Sequence, residues 1–147
     1  MLALGIDFGK VRIGLAAHSA GSTIAFPLEV IKHRSFDDRF STVLSEREIN
    51  RIYVGLPLQM DGELGPAAHE VLKWVRAKQK MFSSIEWRVI DERLTTVGIS
   101  KNLSDQGIST KDQRAFIDAA AACEILNGAL VSEEKLGLRV GQLIENI

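Results

Sequence analysis

The first third of the chain carries three short apolar stretches that are separated by turns rather than by helices. Leu2 to Phe8 ends in DFG, Arg12 to Ala17 reads RIGLAA, and Ser22 to Ile31 reads STIAFPLEVI. Stretches this short, bounded by turn residues, are typical of strands joined by hairpins. They predict an antiparallel meander, and Pro27 favours an edge position or a bulge in its third strand because proline cannot donate to a sheet.

The remainder of the chain alternates between helical and strand patterns. Apolar residues recur at helical spacing from Phe36 to Asn50, and a second helix is predicted from about Pro66 to Lys80, with Pro66 suited to its first turn. The segments RIYVGLP and SIEWRVI, which follow these helices, are typical of buried strands. A third helical segment is predicted from DERLTT toward Asn102, SDQGIST breaks it, and a last helix is predicted from about Lys111 to Leu130. Because strands separated by helices pair in parallel, the pattern predicts an α/β fold: a five-stranded mixed sheet, three antiparallel strands first and then two parallel, covered by helices.

The composition is that of an ordinary globular protein. The 147 residues, 46% hydrophobic and 25% charged, are most simply one domain over 1–147, in which 131–147 form a C-terminal extension. No apolar run approaches the roughly 18 residues that span a bilayer, and the N-terminus MLALGIDFGK lacks the features of a signal peptide. The single Cys123 excludes an intramolecular disulfide and suits a reducing compartment. We therefore expect a cytoplasmic protein without a membrane partner.

The charge, the histidines and the cysteine give little chemical information. A net charge of −1 neither indicates nor excludes a nucleic-acid partner, and the basic residues between positions 73 and 93 are most simply a solvated helix face. His18, His33 and His69 lack zinc-ligand spacing, so a solvated surface position is the expectation for each. Cys123 lies among alanines and is expected to pack in the core.

Three carboxylates occupy places where a purely structural role is less obvious. Asp7 lies near the end of the first strand, Glu92 follows the fifth, and Asp118 precedes the alanine run 119–122, whose small side chains let a helix approach its neighbour closely. Each alone has a simpler explanation: a turn cap, an ion pair with Arg93, or an exposed helix face. If the three converge, their repulsion would raise a pKa or require cations. Oxygen ligands suit Mg²⁺ or Mn²⁺, and two such ions can promote phosphodiester hydrolysis.

Four motifs together resemble a known family. LGIDFGKVRIGLA, YVGLPLQMDGELGPAA, IDERLTT and IDAAAACEIL occur in the order found in YqgF/RuvX-like proteins, and the resemblance covers Leu2 to Leu130. Members of that family are described as pre-16S rRNA nucleases and as Holliday junction resolvases with an RNase H-like fold. The resemblance therefore implies an RNase H-like endonuclease that uses Mg²⁺ or Mn²⁺.

The resemblance also implies roles for individual residues. It makes Asp7, Glu92 and Asp118 the metal ligands and catalytic carboxylates, and the phosphate-contacting residues would be Lys10, Arg12, Arg93, Thr95 and Arg114. Capping of the next helix is an equal alternative for Thr95 and Thr96. A fourth carboxylate could be Asp91 or Asp61. However, alternation along a strand turns Asp91 away from Glu92, and Asp61 suits the MDG turn.

The chain departs from the family pattern at three places. His18 and Ser19 stand where the family usually has Ser-Asp, Gln59 replaces an asparagine, and Asn127 replaces a glutamine. None of these changes removes a proposed ligand, so they bear on substrate contacts only.

Four functions remain open at this stage. The first is cleavage of structured RNA, namely processing of the 5′ end of pre-16S rRNA, by a monomer or weak homodimer. The second is cleavage of branched DNA as a Holliday junction resolvase, which would need a dimer. The third is a non-catalytic RNA- or protein-binding factor in ribosome maturation, which the three intact acids disfavour. The fourth is a sugar-kinase-like ATPase, for which 147 residues are too few to form two domains.

Overall fold

The computed structural model describes residues 2–92 and 110–147, with residues 110–118 described in their backbone only. None of the described helices is long and apolar enough to cross a membrane. The described elements are six strands, β1 (Leu2–Phe8), β2 (Arg12–His18), β3 (Ala25–Lys32), β4 (Ile49–Leu56), β5 (Glu86–Asp91) and β6 (Gln142–Leu143), and three α-helices, α1 (Phe36–Glu46), α2 (Pro66–Met81) and α3 (Thr110–Leu136).

All six strands form one mixed sheet in the order β3-β2-β1-β4-β5-β6. The first three strands pair antiparallel, whereas β4 and β5 run parallel to β1, as the sequence predicts. Pro27 lies on the edge strand β3, and the β2–β3 register shifts beside it, between Leu15 and Ala16. Both of the positions that proline favours in a sheet, an edge and a bulge, are therefore combined at Pro27.

The two faces of the sheet are covered by different helices. One face packs against α1 and α2 through a large apolar cluster that includes Leu4, Ile6 and Trp87. The other face packs against α3 through small residues, with Ala3 and Ala122 in the same buried cluster. Because side chains alternate along a strand, odd-numbered residues of β1 face α3 and even-numbered ones face α1 and α2.

The approach of α3 to the sheet depends on a glycine in β1. A Cβ atom at Gly5 would lie 2.6 Å from the Ala122 carbonyl oxygen and 2.8 Å from Leu126 Cβ. The backbone of α3 therefore crosses β1 at a distance that no larger residue permits. This crossing fixes where the N-terminal turns of α3 lie relative to the end of β1.

The C-terminal segment adds a strand that the sequence pattern does not predict. The last helix continues beyond Leu130 to Leu136, and the chain then turns so that β6 pairs antiparallel with β5. Ile144 inserts into the core on the α1 and α2 side. The sequence pattern predicts five strands, whereas the described residues form six. The sixth was not predicted because the two residues of β6 are too few to show an alternating pattern.

His18 is buried, although the sequence predicts a solvated surface position for it. His18 is 5% exposed, its Nε2 accepts a hydrogen bond from the Ala3 N–H at 3.0 Å, and its Nδ1 lies 2.9 Å from the Ser22 carbonyl oxygen. The imidazole is therefore a buried bridge that joins β1, β2 and the following turn, and the expectation of a solvated surface position is wrong. Asn127, another departure from the family pattern, also serves the fold, because its Oδ1 accepts from the Ala25 N–H at 2.7 Å.

Candidate active site

Asp7 and Glu92 meet at the carboxyl edge of the parallel strands. Their strands, β1 and β5, are not neighbours, since β4 lies between them. The side chain of Glu92 reaches over Gly55 of β4, where a Cβ atom would lie 3.5 Å from Glu92 Cδ. There the carboxyl groups of Glu92 and Asp7 are hydrogen-bonded to each other. Two of the three acids singled out in the sequence are therefore in contact.

The neighbouring acid, Asp91, faces the opposite side of the sheet. Val89 and Trp87 belong to the core beneath α1 and α2, and alternation places Asp91 on that same side, where it lines a cavity together with Val89. Asp61 has the turn role expected for it, because its Oδ1 accepts from the Glu63 N–H at 2.9 Å. Neither residue joins Asp7 and Glu92.

Burial shapes the electrostatics of the carboxyl pair. Loss of hydration raises the pKa of Glu92, and the hydrogen bond from Asp7 offsets this only in part, so the pKa of Glu92 stays above its usual value. Two carboxyl groups in contact repel each other when both are ionised, and a bound cation would relieve this repulsion. Among the side chains that the structure describes, no three His, Cys, Asp or Glu residues form a metal-binding group.

The third candidate carboxylate lies on α3, whose path leads toward this edge. Asp118 precedes Ala122 by one helical turn, and the Ala122 carbonyl lies over Gly5, two residues before Asp7. Residues four apart share a helix face, so position 118 continues the line of Ala122. The side chains of Asp118 and Arg114 are outside the described part of the chain, as are residues Arg93, Thr95 and Thr96.

Two of the proposed phosphate-binding residues, Lys10 and Arg12, follow Asp7 in the hairpin between β1 and β2. Asp7 pairs with Gly14, and Arg12 is two residues from Gly14, so Arg12 lies on the α3 side of the sheet, as does Asp7. Lys10 is exposed in the turn. The Gly9 N–H donates to the Arg12 carbonyl at 3.0 Å, and this bond closes the turn.

Sequence reasoning missed the part that Gly55 plays in the site. A Cβ atom at this position would lie 2.6 Å from Ile125 Cδ1 of α3 as well as close to the Glu92 carboxyl. The available signal was a glycine inside the apolar strand RIYVGLP, since such a glycine often marks close approach of another group.

A mixed sheet with three antiparallel strands followed by parallel ones is the sheet of RNase H-like proteins, and here it carries paired carboxylates at its carboxyl edge. The fold of the chain is similar to that of Thermus thermophilus RuvC, with a TM-score of 0.55 and 17% identity over 97% of this chain and 100% of the other. A family model described as "RuvX: Holliday junction resolvase" matches residues 1–132. The chain belongs to this RuvX family.

Curated relatives carry a different functional description. A protein from Mycobacterium sp. (strain KMS) named "Putative pre-16S rRNA nuclease" is 35% identical over 86% of this chain and 78% of its own length. A protein of the same name from Streptomyces coelicolor is 35% identical over 97% of this chain and 87% of its own length.

Proposed function

We propose that this chain is a Mg²⁺- or Mn²⁺-dependent endonuclease that cleaves structured RNA and processes the 5′ end of pre-16S rRNA in the cytoplasm as a monomer or weak homodimer. The observation that carries the proposal is the contact between the Asp7 and Glu92 carboxyl groups across Gly55. Carboxylates brought together from separate strands at the carboxyl edge of a sheet are placed where α/β proteins bind substrates.

The donor set fits a hard divalent cation. Asp7 and Glu92 offer oxygen atoms only, and their proximity is electrostatically unfavourable unless a proton or cation lies between them. Asp118 would complete the set from α3. When bound, the metal supplies a positive charge that favours ionisation of a water and offsets charge on the leaving oxygen.

The chain's own basic residues would hold the substrate. Arg12 lies on the same face of the sheet as Asp7, and Lys10 is exposed in the adjoining turn. A guanidinium binds two phosphate oxygens at once, whereas a lysine ammonium acts as a single positive charge. In our proposal these two residues position the scissile phosphate over the carboxyl pair, assisted by Arg93, Thr95 and Arg114.

The test is a cleavage assay with Mn²⁺ that offers a pre-16S rRNA fragment and a four-way DNA junction to the same preparations. Wild type should cut the RNA at its 5′ precursor region, whereas Asp7→Asn should bind it without cutting. Asp38→Asn is a matched control, because Asp38 is an exposed carboxylate of α1 outside the site. Equal cleavage by wild type and Asp7→Asn would overturn the proposal.

Junction resolution is the second candidate, and the description of the matching family favours it. It keeps the same carboxylates and changes the substrate to branched DNA. Since resolution requires two symmetric cuts, it predicts a dimer on the junction. Preferential cleavage of the junction, together with a dimer mass in solution, would replace the RNA assignment.

A further inference from the structure

A cavity of about 340 Å³ lies at the end of β5, where Asp91, the residue before Glu92, is part of its lining. Its size falls in the range of small-molecule sites, about 300–1,000 Å³. Leu64, which is 40% exposed, and the exposed Gly62 and Gln142 lie on its wall, so the cavity reaches the surface. The remaining wall is largely apolar and includes Leu56, Leu58, Val89 and Ile90.

One carboxylate, Asp91, lines this apolar cavity. Asp91 pairs with Leu56 at the end of β5 and is half-buried. A carboxylate has two oxygens and about four lone-pair directions, so it can accept further hydrogen bonds beside any it already makes. A ligand for this cavity should therefore present apolar surface to its wall and adjacent hydrogen-bond donors to Asp91.

A nucleobase has these properties, and guanine matches them best. Its N1–H and its exocyclic amine are adjacent donors on one edge, and together they can pair with both oxygens of a carboxylate. Adenine and uracil each place an acceptor beside their donor, and cytosine offers a single amino donor on that edge. Unstacked bases of single-stranded RNA are commonly recognised through this edge while their faces lie against side chains.

The cavity and the carboxyl pair are connected through the end of β5. Asp91 and Glu92 are adjacent in sequence and face opposite sides of the sheet, so one strand end would contribute to both sites. The wall formed by Gly62 and Leu64 belongs to the loop after β4, the strand that carries Gly55. That loop is internally braced, since the Gly62 N–H donates to the Gln59 carbonyl at 2.8 Å.

We propose that this cavity is a guanine subsite in which Asp91 accepts hydrogen bonds from an unpaired guanine near the scissile phosphate. The inference rests on the proposed function, since it assumes that the substrate is a nucleic acid with unpaired bases. It assigns Asp91 to substrate specificity rather than to metal binding.

The experiment measures binding of labelled RNA hairpins by fluorescence anisotropy, without added divalent ion. The hairpins carry a single-stranded uridine tail in which one residue is guanosine, inosine or adenosine. Inosine keeps the N1–H of guanosine and lacks the amino group, so the comparison isolates one donor in the wild-type protein. We expect the guanosine hairpin to bind about tenfold tighter than the other two. Asp91→Asn should reduce this preference to less than twofold, and Asp38→Asn should preserve it.

The possible failures are distinct. If the three hairpins bind wild type with equal affinity, the guanine subsite is wrong while the proposed nuclease function stands. A guanosine preference that survives in Asp91→Asn removes Asp91 from the subsite and overturns the inference. If none of the hairpins binds, both the subsite and the proposed RNA substrate are contradicted.

Discussion

The Asp7 and Glu92 carboxyl groups are hydrogen-bonded to each other although a whole strand separates the strands that carry them. Glu92 reaches Asp7 by passing over Gly55 on the intervening strand, where a Cβ atom would lie 3.5 Å from Glu92 Cδ. The strand order therefore brings together two acids that are distant in sequence.

Removing any one of the proposed metal ligands should abolish cleavage. Asp7→Asn, Glu92→Gln and Asp118→Asn keep the shape of each side chain and remove its charge, so the rate of RNA cleavage in Mn²⁺ should fall by about 100-fold or more. Circular dichroism and RNA binding should stay close to those of wild type. Full activity in one of the variants would remove that residue from the proposed ligand set.

The two close-approach glycines should differ in their sensitivity to a methyl group. Gly5→Ala would press on the backbone of α3, which cannot give way, and should lower the free energy of unfolding by about 3 kcal/mol. Gly55→Ala meets the flexible tip of Ile125 and should cost about 1 kcal/mol, and it should leave activity largely unchanged because its Cβ would lie in ordinary contact with Glu92 Cδ, at 3.5 Å. Urea denaturation and the cleavage assay give the two readouts.

Gly128→Ala is the control for this comparison. Gly128 lies in α3 with no atom within 4 Å of the position of a Cβ, so alanine should stabilise the protein by about 0.5–1 kcal/mol through helix propensity. Equal destabilisation by alanine at the three positions would contradict the short distance between α3 and the sheet at Gly5.

Most of the sheet could be predicted from the sequence because its signals are local. Periodicity and turn residues mark five strands, and Pro27 marks the edge. The contact between Asp7 and Glu92 could not be derived in this way, because it depends on which strands are neighbours. The role of His18 was missed for a similar reason, since its partner Ala3 is fifteen residues away.

The C-terminal segment shows where local pattern is least informative. Its two-residue strand forms only because β5 presents an unpaired edge, and Ile144 is buried by a core that other elements build. Of the proposed site, the sequence and the family resemblance proposed the three acids, and strand alternation predicted that Asp91 faces away from Glu92.

The single cysteine should react slowly in the folded protein. Burial, followed by the nearby Glu124 carboxylate, raises the pKa of Cys123 to about 11. Only the thiolate reacts with iodoacetamide, and an ordinary cysteine has a pKa near 8.5, so alkylation at pH 8 should be roughly 200-fold slower than in the unfolded chain. Mass spectrometry over time measures both rates, with guanidinium-unfolded protein as the reference. Similar rates would contradict the burial of this thiol.

Glu133 should be a main stabilising residue of the C-terminal half. Its carboxylate lies 3.5 Å from the Arg51 guanidinium, and both side chains are less than a tenth exposed. Glu133→Ala would leave the buried Arg51 charge without this partner and should lower the free energy of unfolding by about 3 kcal/mol. Glu134→Ala, an exposed neighbour in the same helix, should change it by less than about 0.5 kcal/mol. If Glu133→Ala and Glu134→Ala lowered the free energy of unfolding equally in urea denaturation, the buried pair of Glu133 and Arg51 would not be a main source of stability.

The only tyrosine in the chain should ionise far above its ordinary range. Burial, and then the hydrogen bond that its hydroxyl donates to Glu133, raise the pKa of Tyr53 to about 12. The neutral phenol is thus favoured by folding, so its contribution to stability is complete below the unfolded pKa near 10. That contribution is lost as the pH rises from 10 through 12. Absorbance at alkaline pH should follow this single group, and Glu133→Gln should lower the pKa without returning it to 10, because burial remains. A midpoint near 10 in wild type would show that the hydroxyl is solvated.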